Sequence, residues 1–264
     1  MAPKKIGHHY SGEQWAQNIK HFLLEKGLLD RPVHIISANP HSVMNSIYAP
    51  SIFKKEEKPL EDIARELSLP QNGKLRKKVV DYALKHGMYQ IEDQSGTNIT
   101  VQIFDLAQLK LEKWALELNV DEEYLQKKKP VILVMDYAFG EQAYETLDEL
   151  LKPFEQADTI IPLDVDSINI MGKAGILKGK KGDIMIPNGH VFEGTADNYP
   201  FENDLKIEDF EKYDSVVADG PMISVLGTSL QNRDILRYFV RSSWQVIGLE
   251  MEGAHYQKAI QAAS

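Results

Sequence analysis

The sequence predicts an α/β fold in three layers, αβα, around a central mixed sheet. Two observations carry the prediction. Short apolar, β-rich segments alternate along the chain with segments whose apolar residues recur at helical spacing. One of the short segments, Pro130-Val131-Ile132-Leu133-Val134-Met135-Asp136, is almost wholly apolar, as a strand covered on both faces must be. The length of 264 residues suits one large α/β domain, and 43% hydrophobic and 26% charged residues fit an ordinary core and surface. No repeat, low-complexity tract or linker breaks the alternation. The expectation is a single domain over 1–264 with a helical N-terminal extension at 1–30.

The elements follow in order. Residues 11–27 carry Trp15, Ile19, Phe22 and Leu23 at helical spacing, with Gly27 as the stop. Val33-His34-Ile35-Ile36-Ser37 is a short strand that ends in Ala38-Asn39-Pro40, and a helix follows from Ser42 to Tyr48. Residues 53–80 are rich in lysine and glutamate and helical in pattern, broken at Pro59 and at Pro70-Gln71-Asn72-Gly73. Segments 88–92 and 97–104 flank Asp93-Gln94-Ser95-Gly96, which is hairpin punctuation. A helix is expected over 106–118, a strand over 131–136 and a helix over 141–151. Strands are expected at 167–171 and 183–187, on either side of the Gly172–Gly175 turn. Residues 188–220, rich in Asn, Asp, Gly and Pro, read as a long loop with a short helix near 207–213. A strand at 222–226, a helix at 229–242, a strand at 245–250 and a last helix from Glu252 complete the chain.

Composition removes several classes of function. A net charge of −9 argues against a general nucleic-acid or membrane-surface binder, and the basic clusters at 54–55, 76–78 and 127–129 read as solvated faces. With no cysteine there is no disulfide, thiolate zinc site or cysteine nucleophile. No histidine spacing suits zinc, and the scattered histidines, His190 and His255 among them, read as surface or satisfied core residues. Neither a Walker A loop, a Rossmann fingerprint nor a Gly-x-Ser-x-Gly elbow is present. No metal and no cofactor are expected. Met1-Ala2-Pro3-Lys4-Lys5 leads into no apolar run, and no stretch approaches a membrane span, so a cytoplasmic location is the expectation.

Chemistry concentrates at Val246-Ile247-Gly248-Leu249-Glu250-Met251-Glu252-Gly253-Ala254. An apolar strand runs into two carboxylates at i and i+2, which share a side of an extended chain, and Glu252 lies at the start of a helix whose dipole favours an anion. Such a pair suits the neighbouring hydroxyls of a ribose. Two surface glutamates after an edge strand are the alternative. Gly172-Lys173-Ala174-Gly175 lets backbone approach a ligand closely, or is a plain turn. Ala38-Asn39-Pro40-His41-Ser42 either offers N–H groups to an anion or sugar or is an Asn-Pro turn with a Ser42 cap. In Gly227-Thr228-Ser229-Leu230-Gln231-Asn232 the hydroxyls cap a helix, or the amides of Gln231 and Asn232 meet a heterocycle.

Taken in order, these pieces resemble the nucleoside phosphorylase and nucleosidase superfamily over roughly 33–260. The residues that carry the resemblance are Gly248–Ala254, Ile168–Gly175, Lys181–Pro187 and Val134–Gly140. The resemblance implies a nucleosidase-type enzyme that cleaves the N-ribosyl bond of a purine nucleoside or nucleotide. It implies that Glu252 holds the ribose hydroxyls with Glu250 in support, that Met251 packs on the sugar, and that Thr228, Ser229, Gln231 and Asn232 contact the base. Asn39, Ser42, Gly172, Lys173 and Gly175 would border the anion or water site. A phosphorylase normally carries Gly-Asp-Pro and an arginine where Ala38-Asn39-Pro40-His41-Ser42 stands, and often an arginine where Ile170 stands, so water rather than phosphate is the expected nucleophile. The superfamily's last strand, which ends in the Ser-Asp pair that supplies the acid, has no counterpart before Ser264. The catalytic acid therefore stays unassigned. Two alternatives accompany the leading one: a non-catalytic nucleoside-binding or regulatory protein on the same fold, and a truncated portion of a phosphorylase. An open sheet edge after the last strand is expected, and with it a homo-oligomer or a C-terminal partner segment.

Overall fold

The computed structural model describes residues 8–53, 58–111, 114–115, 117–156, 159–213, 215–227, 232–241 and 245–264. The chain is α/β and divides into two compact units, Met1–Tyr137 with Lys152–Gly172, and Ala138–Leu151 with Lys173–Ser264.

The first unit holds α1 (His8–Glu25), β1 (Val33–Ser37), α2 (Pro40–Ile52), α3 (Leu60–Ser68), α4 (Gly73–Lys85), β2 (Met88–Ile91), β3 (Val101–Asp105), α5 (Glu122–Lys128), β4 (Val131–Met135), β5 (Phe154–Gln156), β6 (Thr159–Ile161) and β7 (Val165–Ile170). Its mixed sheet runs β2-β3-β4-β1-β7, with β4, β1 and β7 parallel and β2 and β3 antiparallel. β4 is buried along nearly its whole length, which accounts for its apolar sequence. Met44, Tyr48, Ile63, Leu67, Val79 and Phe104 join α2, α3 and α4 to the sheet in one apolar cluster. The expected hairpin forms between β2 and β3. In its loop the Asp93 carboxylate accepts the N–H groups of Ser95 (2.8 Å) and Asn98 (2.7 Å).

Among the described residues of 106–118 the expected helix is not found. Leu106–Gln108 is one 3-10 turn, and Asp105 caps it through the Ala107 N–H at 3.0 Å. Arg31 holds the same Asp105 at 2.6 Å. Leu109 then turns extended, and Leu109, Leu111 and Trp114 pack against the helical cluster. Their apolar spacing serves packing instead of a helix. A helix that periodicity did not mark, α5, starts instead at Asp121, which caps the Tyr124 N–H at 2.9 Å.

The second unit holds α6 (Glu141–Leu151), β8 (Gly175–Ile176), β9 (Ile184–Phe192), β10 (Asn198–Pro200), β11 (Val217–Ser224), α7 (Arg233–Arg241), β12 (Gly248–Glu250) and α8 (Gly253–Ala263). Its sheet runs β10-β9-β11-β12-β8, with β9, β11 and β12 parallel and both outer strands antiparallel. Every strand expected from the sequence is present, but the first five lie in one mixed sheet and the last three in the other. Local periodicity marks a strand and says little about its distant partner. The open edge expected beside β12 is occupied, because β8 pairs there with Gly248 opposite Ile176 and Leu249 opposite Gly175. Gly248 suits this crossing, because a Cβ would press on the Met185 sulfur and lie 3.0 Å from the Gly175 carbonyl oxygen, so a larger residue must displace the Met185 side chain. The loop expected over 188–220 is shorter than its composition suggests, since β9 runs to Phe192, β10 pairs with it and β11 begins at Val217.

Strand alternation gives this second sheet two unlike faces. Val191, Ile223 and Leu249 are register neighbours and pack with Val225, Val246 and Phe239 of α7. The next register row, Phe192, Ser224 and Glu250, points the other way, toward α8. α8 packs on α6, with the Lys258 ammonium 4.5 Å from the Tyr144 ring centre.

Candidate functional site

The polar face of the second sheet is built around Glu250. One of its oxygens accepts the Ser224 hydroxyl and the His190 Nδ1–H, the latter at 3.1 Å. The other accepts the backbone N–H groups of Glu252 and Gly253. Ser224 Oγ in turn accepts the Ala254 N–H at 2.8 Å. A helix start leaves N–H groups without intrahelical partners, and here side chains from β11 and β12 satisfy them. Burial opposes the charge on Glu250, but the His190 contact, the Gly253 N–H and the Ser224 hydroxyl outweigh it and hold its carboxyl below the usual range.

His190 is clamped from two sides. Phe201 stacks on it, ring centres 5.7 Å apart and planes 5° from parallel. Against it also lies Gly253, where a Cβ would come within 2.2 Å of Cε1 and Nδ1. The same histidine lines a cavity of about 380 Å³ together with Asn198 and Tyr199 of β10.

Glu252 has a different environment. It is half-buried, and its Oε1 accepts the Gly140 N–H at 3.1 Å from the turn before α6. Burial and the neighbouring Glu250 charge push its carboxyl up, against the hydrogen bonds from Gly140 and Met251. One turn along α8, His255 meets Phe192 edge-on with ring centres 4.7 Å apart. Burial lowers the pKa of His255, Glu141 and Glu250 counter this, and Lys258 adds to the lowering.

The other candidate residues fall as follows. Met251 packs against the apolar cluster around Leu249, on the face opposite Glu250. Asn39 caps α2 through the His41 N–H at 2.9 Å, and Ser42 is exposed in the first turn of that helix. The Met171 N–H donates to the Ser37 carbonyl at 2.9 Å, so the Asn39 turn and Gly172 leave the first sheet at the same end. Lys173 and Gly175 belong to the second unit and are exposed. Thr228, Ser229 and Gln231 lie outside the described residues. The Asn232 side-chain oxygen accepts the N–H groups of Asp234 (3.0 Å) and Ile235 (3.3 Å) at the start of α7. Sequence reasoning missed His190, Ser224 and Gly140 as partners of the glutamates. The signal for Ser224 was a lone hydroxyl in the apolar run Met222-Ile223-Ser224-Val225-Leu226. Among the described residues no group of three His, Cys, Asp or Glu is arranged to hold a metal ion, and no helix is long and apolar enough to cross a membrane.

Fold and site together define an α/β protein with a carboxylate-capped helix start on a mixed sheet. The chain belongs to a family of unknown function, DUF6909, which matches residues 64–264. No curated protein matches it. Among the solved structures similar to it are three from Helicobacter pylori. A mutant futalosine hydrolase of Helicobacter pylori strain 26695 is 12% identical over 89% of this chain and 85% of that one, with a TM-score of 0.46. Helicobacter pylori MTAN is 11% identical over 88% and 83%, with a TM-score of 0.47. The native futalosine hydrolase of the same strain is 12% identical over 88% and 82%, with a TM-score of 0.47.

Proposed function

We propose that the second unit grips the ribose of a purine nucleoside or nucleotide through Glu252, and that the protein is a nucleosidase that cleaves the N-ribosyl bond. The observation that carries this reading is the division of labour between the two glutamates. Glu250 is held by Ser224, His190 and two backbone N–H groups, whereas Glu252 is half-exposed and, among the described residues, bonded to backbone N–H groups alone. A carboxylate so placed accepts a pair of vicinal hydroxyls. As the ribosyl bond breaks, positive charge grows on the sugar, and the Glu252 charge favours that transition state over the ground state. Water is the proposed nucleophile, because Ile170 and the Ala38–Ser42 turn carry no arginine for phosphate.

The test is calorimetric titration of a panel of nucleosides into wild type and Glu252→Gln, with chromatography for free base in the presence and absence of phosphate. Base release without phosphate is expected, and a loss of about tenfold or more in affinity on removing the charge. Its raised pKa means that ionised Glu252 costs the fold stability, a cost that vanishes as pH falls below the ordinary glutamate range. Near neutral pH the variant should therefore melt at or above the wild-type temperature. Unchanged nucleoside affinity in a destabilised Glu252→Gln would sink the reading, and binding without base release would leave a binding protein. Light scattering on the same material tests the self-association that the superfamily resemblance implies.

A further inference from the structure

We propose that the apolar face of the second sheet, opposite Glu250, carries a separate binding site for a small molecule bearing an oligophosphate chain. A cavity of about 430 Å³ lies there, within the size range of small-molecule sites. It is lined by the apolar residues Ile176, Leu177 and Leu249 and by Arg233, Arg237 and Arg241 of α7. Leu249 and Glu250 are consecutive in β12, so their side chains leave opposite faces, and neither Glu250 nor Glu252 lines this cavity.

The three arginines stand at i, i+4 and i+8, which puts them on one side of the helix about 6 Å apart along its axis. The three positions span about 12 Å along the axis, so a chain of phosphates can engage more of the guanidinium groups at once than a single phosphate can. Only Arg237 has an acidic partner among the described residues, Asp234 at 3.4 Å, in an exposed pair of little strength. Three guanidinium groups with one acid make α7 locally positive in a chain whose net charge is −9. Lys178, Lys180 and Lys181 follow Leu177 directly in the sequence and extend the positive field. Guanidinium forks match phosphate oxygens in geometry, and the apolar lining takes the remainder of the ligand.

The probes are orthophosphate, pyrophosphate and tripolyphosphate, titrated calorimetrically at low ionic strength. Saturable binding is expected, strengthening with chain length. Arg233→Gln/Arg241→Gln should weaken tripolyphosphate by about tenfold or more, and the charge-matched Lys178→Gln/Lys180→Gln by less than about threefold. Arg237→Lys keeps the charge and loses the fork, so it should also weaken binding. Circular dichroism confirms that each exposed replacement leaves the fold intact. The absence of saturable binding would overturn the proposal. So would equal losses in the arginine and lysine pairs, which would show diffuse attraction in place of a site.

Discussion

Replacing Gly253 by alanine sets two physical effects against each other. Gly253 opens α8 without a positive φ, so alanine fits its backbone and, by helix preference alone, should stabilise the protein by up to about 1 kcal/mol. The structure predicts the opposite sign. The new Cβ would lie 2.2 Å from both Cε1 and Nδ1 of His190 and 2.8 Å from Nε2, distances that real Cβ atoms do not show. His190 must move, yet Phe201 covers it and Glu250 holds its Nδ1. Overpacking costs about 1–3 kcal/mol, and a strained hydrogen bond to a charged group adds part of its ~1.5–3 kcal/mol. After the helix gain is subtracted, Gly253→Ala should cost about 1–3 kcal/mol. Urea denaturation followed by circular dichroism measures it. In a His190→Ala background the same replacement should become neutral or stabilising, which isolates the clash. A Gly253→Ala protein as stable as wild type would refute the reasoning.

The other predictions concern the charges around this point. Glu250→Gln should cost about 2–5 kcal/mol, because the amide puts a donor in place of one carboxylate oxygen, facing either the two backbone N–H groups or the Ser224 hydroxyl and His190 N–H. Since burial is outweighed and the Glu250 pKa is held down, its contribution is present above the ordinary glutamate range and lost as pH falls through the folded value. The acid limb of a stability-against-pH curve should accordingly be shallower in Glu250→Gln than in wild type. The His255 titration, followed by NMR, should have its midpoint below the ordinary histidine range. Glu141→Gln should move that midpoint further down, and an upward move would contradict the placement of Glu141 beside His255.

What the sequence made legible was local. Apolar periodicity located the strand at Val131–Met135 and the helix at Glu141–Leu151, because burial on two faces or on one stripe writes itself into consecutive residues. The same signal misled at 106–118, where one 3-10 turn ends at Gln108 and Leu109, Leu111 and Trp114 pack against the helical cluster. The glutamate pair was visible as two acids after an apolar strand, but their roles were not. Those depend on His190 and Ser224, which are brought to Glu250 from other strands by register, and on Gly140, which is brought to Glu252 by the packing of α6 on α8. No spacing along the chain encodes such meetings. Strand pairing was illegible for the same reason: the short β8 closes the edge of β12 with two residues, one of them a glycine.

The route of the chain between the two units bears on how the protein is made. Helix α6 leaves the ribosome before β7, yet it belongs to the second unit, while β7 completes the first. The apolar stripe of α6, Ala143, Leu147 and Leu150, must wait for α8, which is synthesised roughly a hundred residues later, and pairings so distant in sequence form slowly. Until then the packing of α6 on α8 cannot form, and apolar surface left exposed during synthesis favours aggregation. No single cut yields either unit intact, and a fragment that stops before α8 leaves that stripe uncovered.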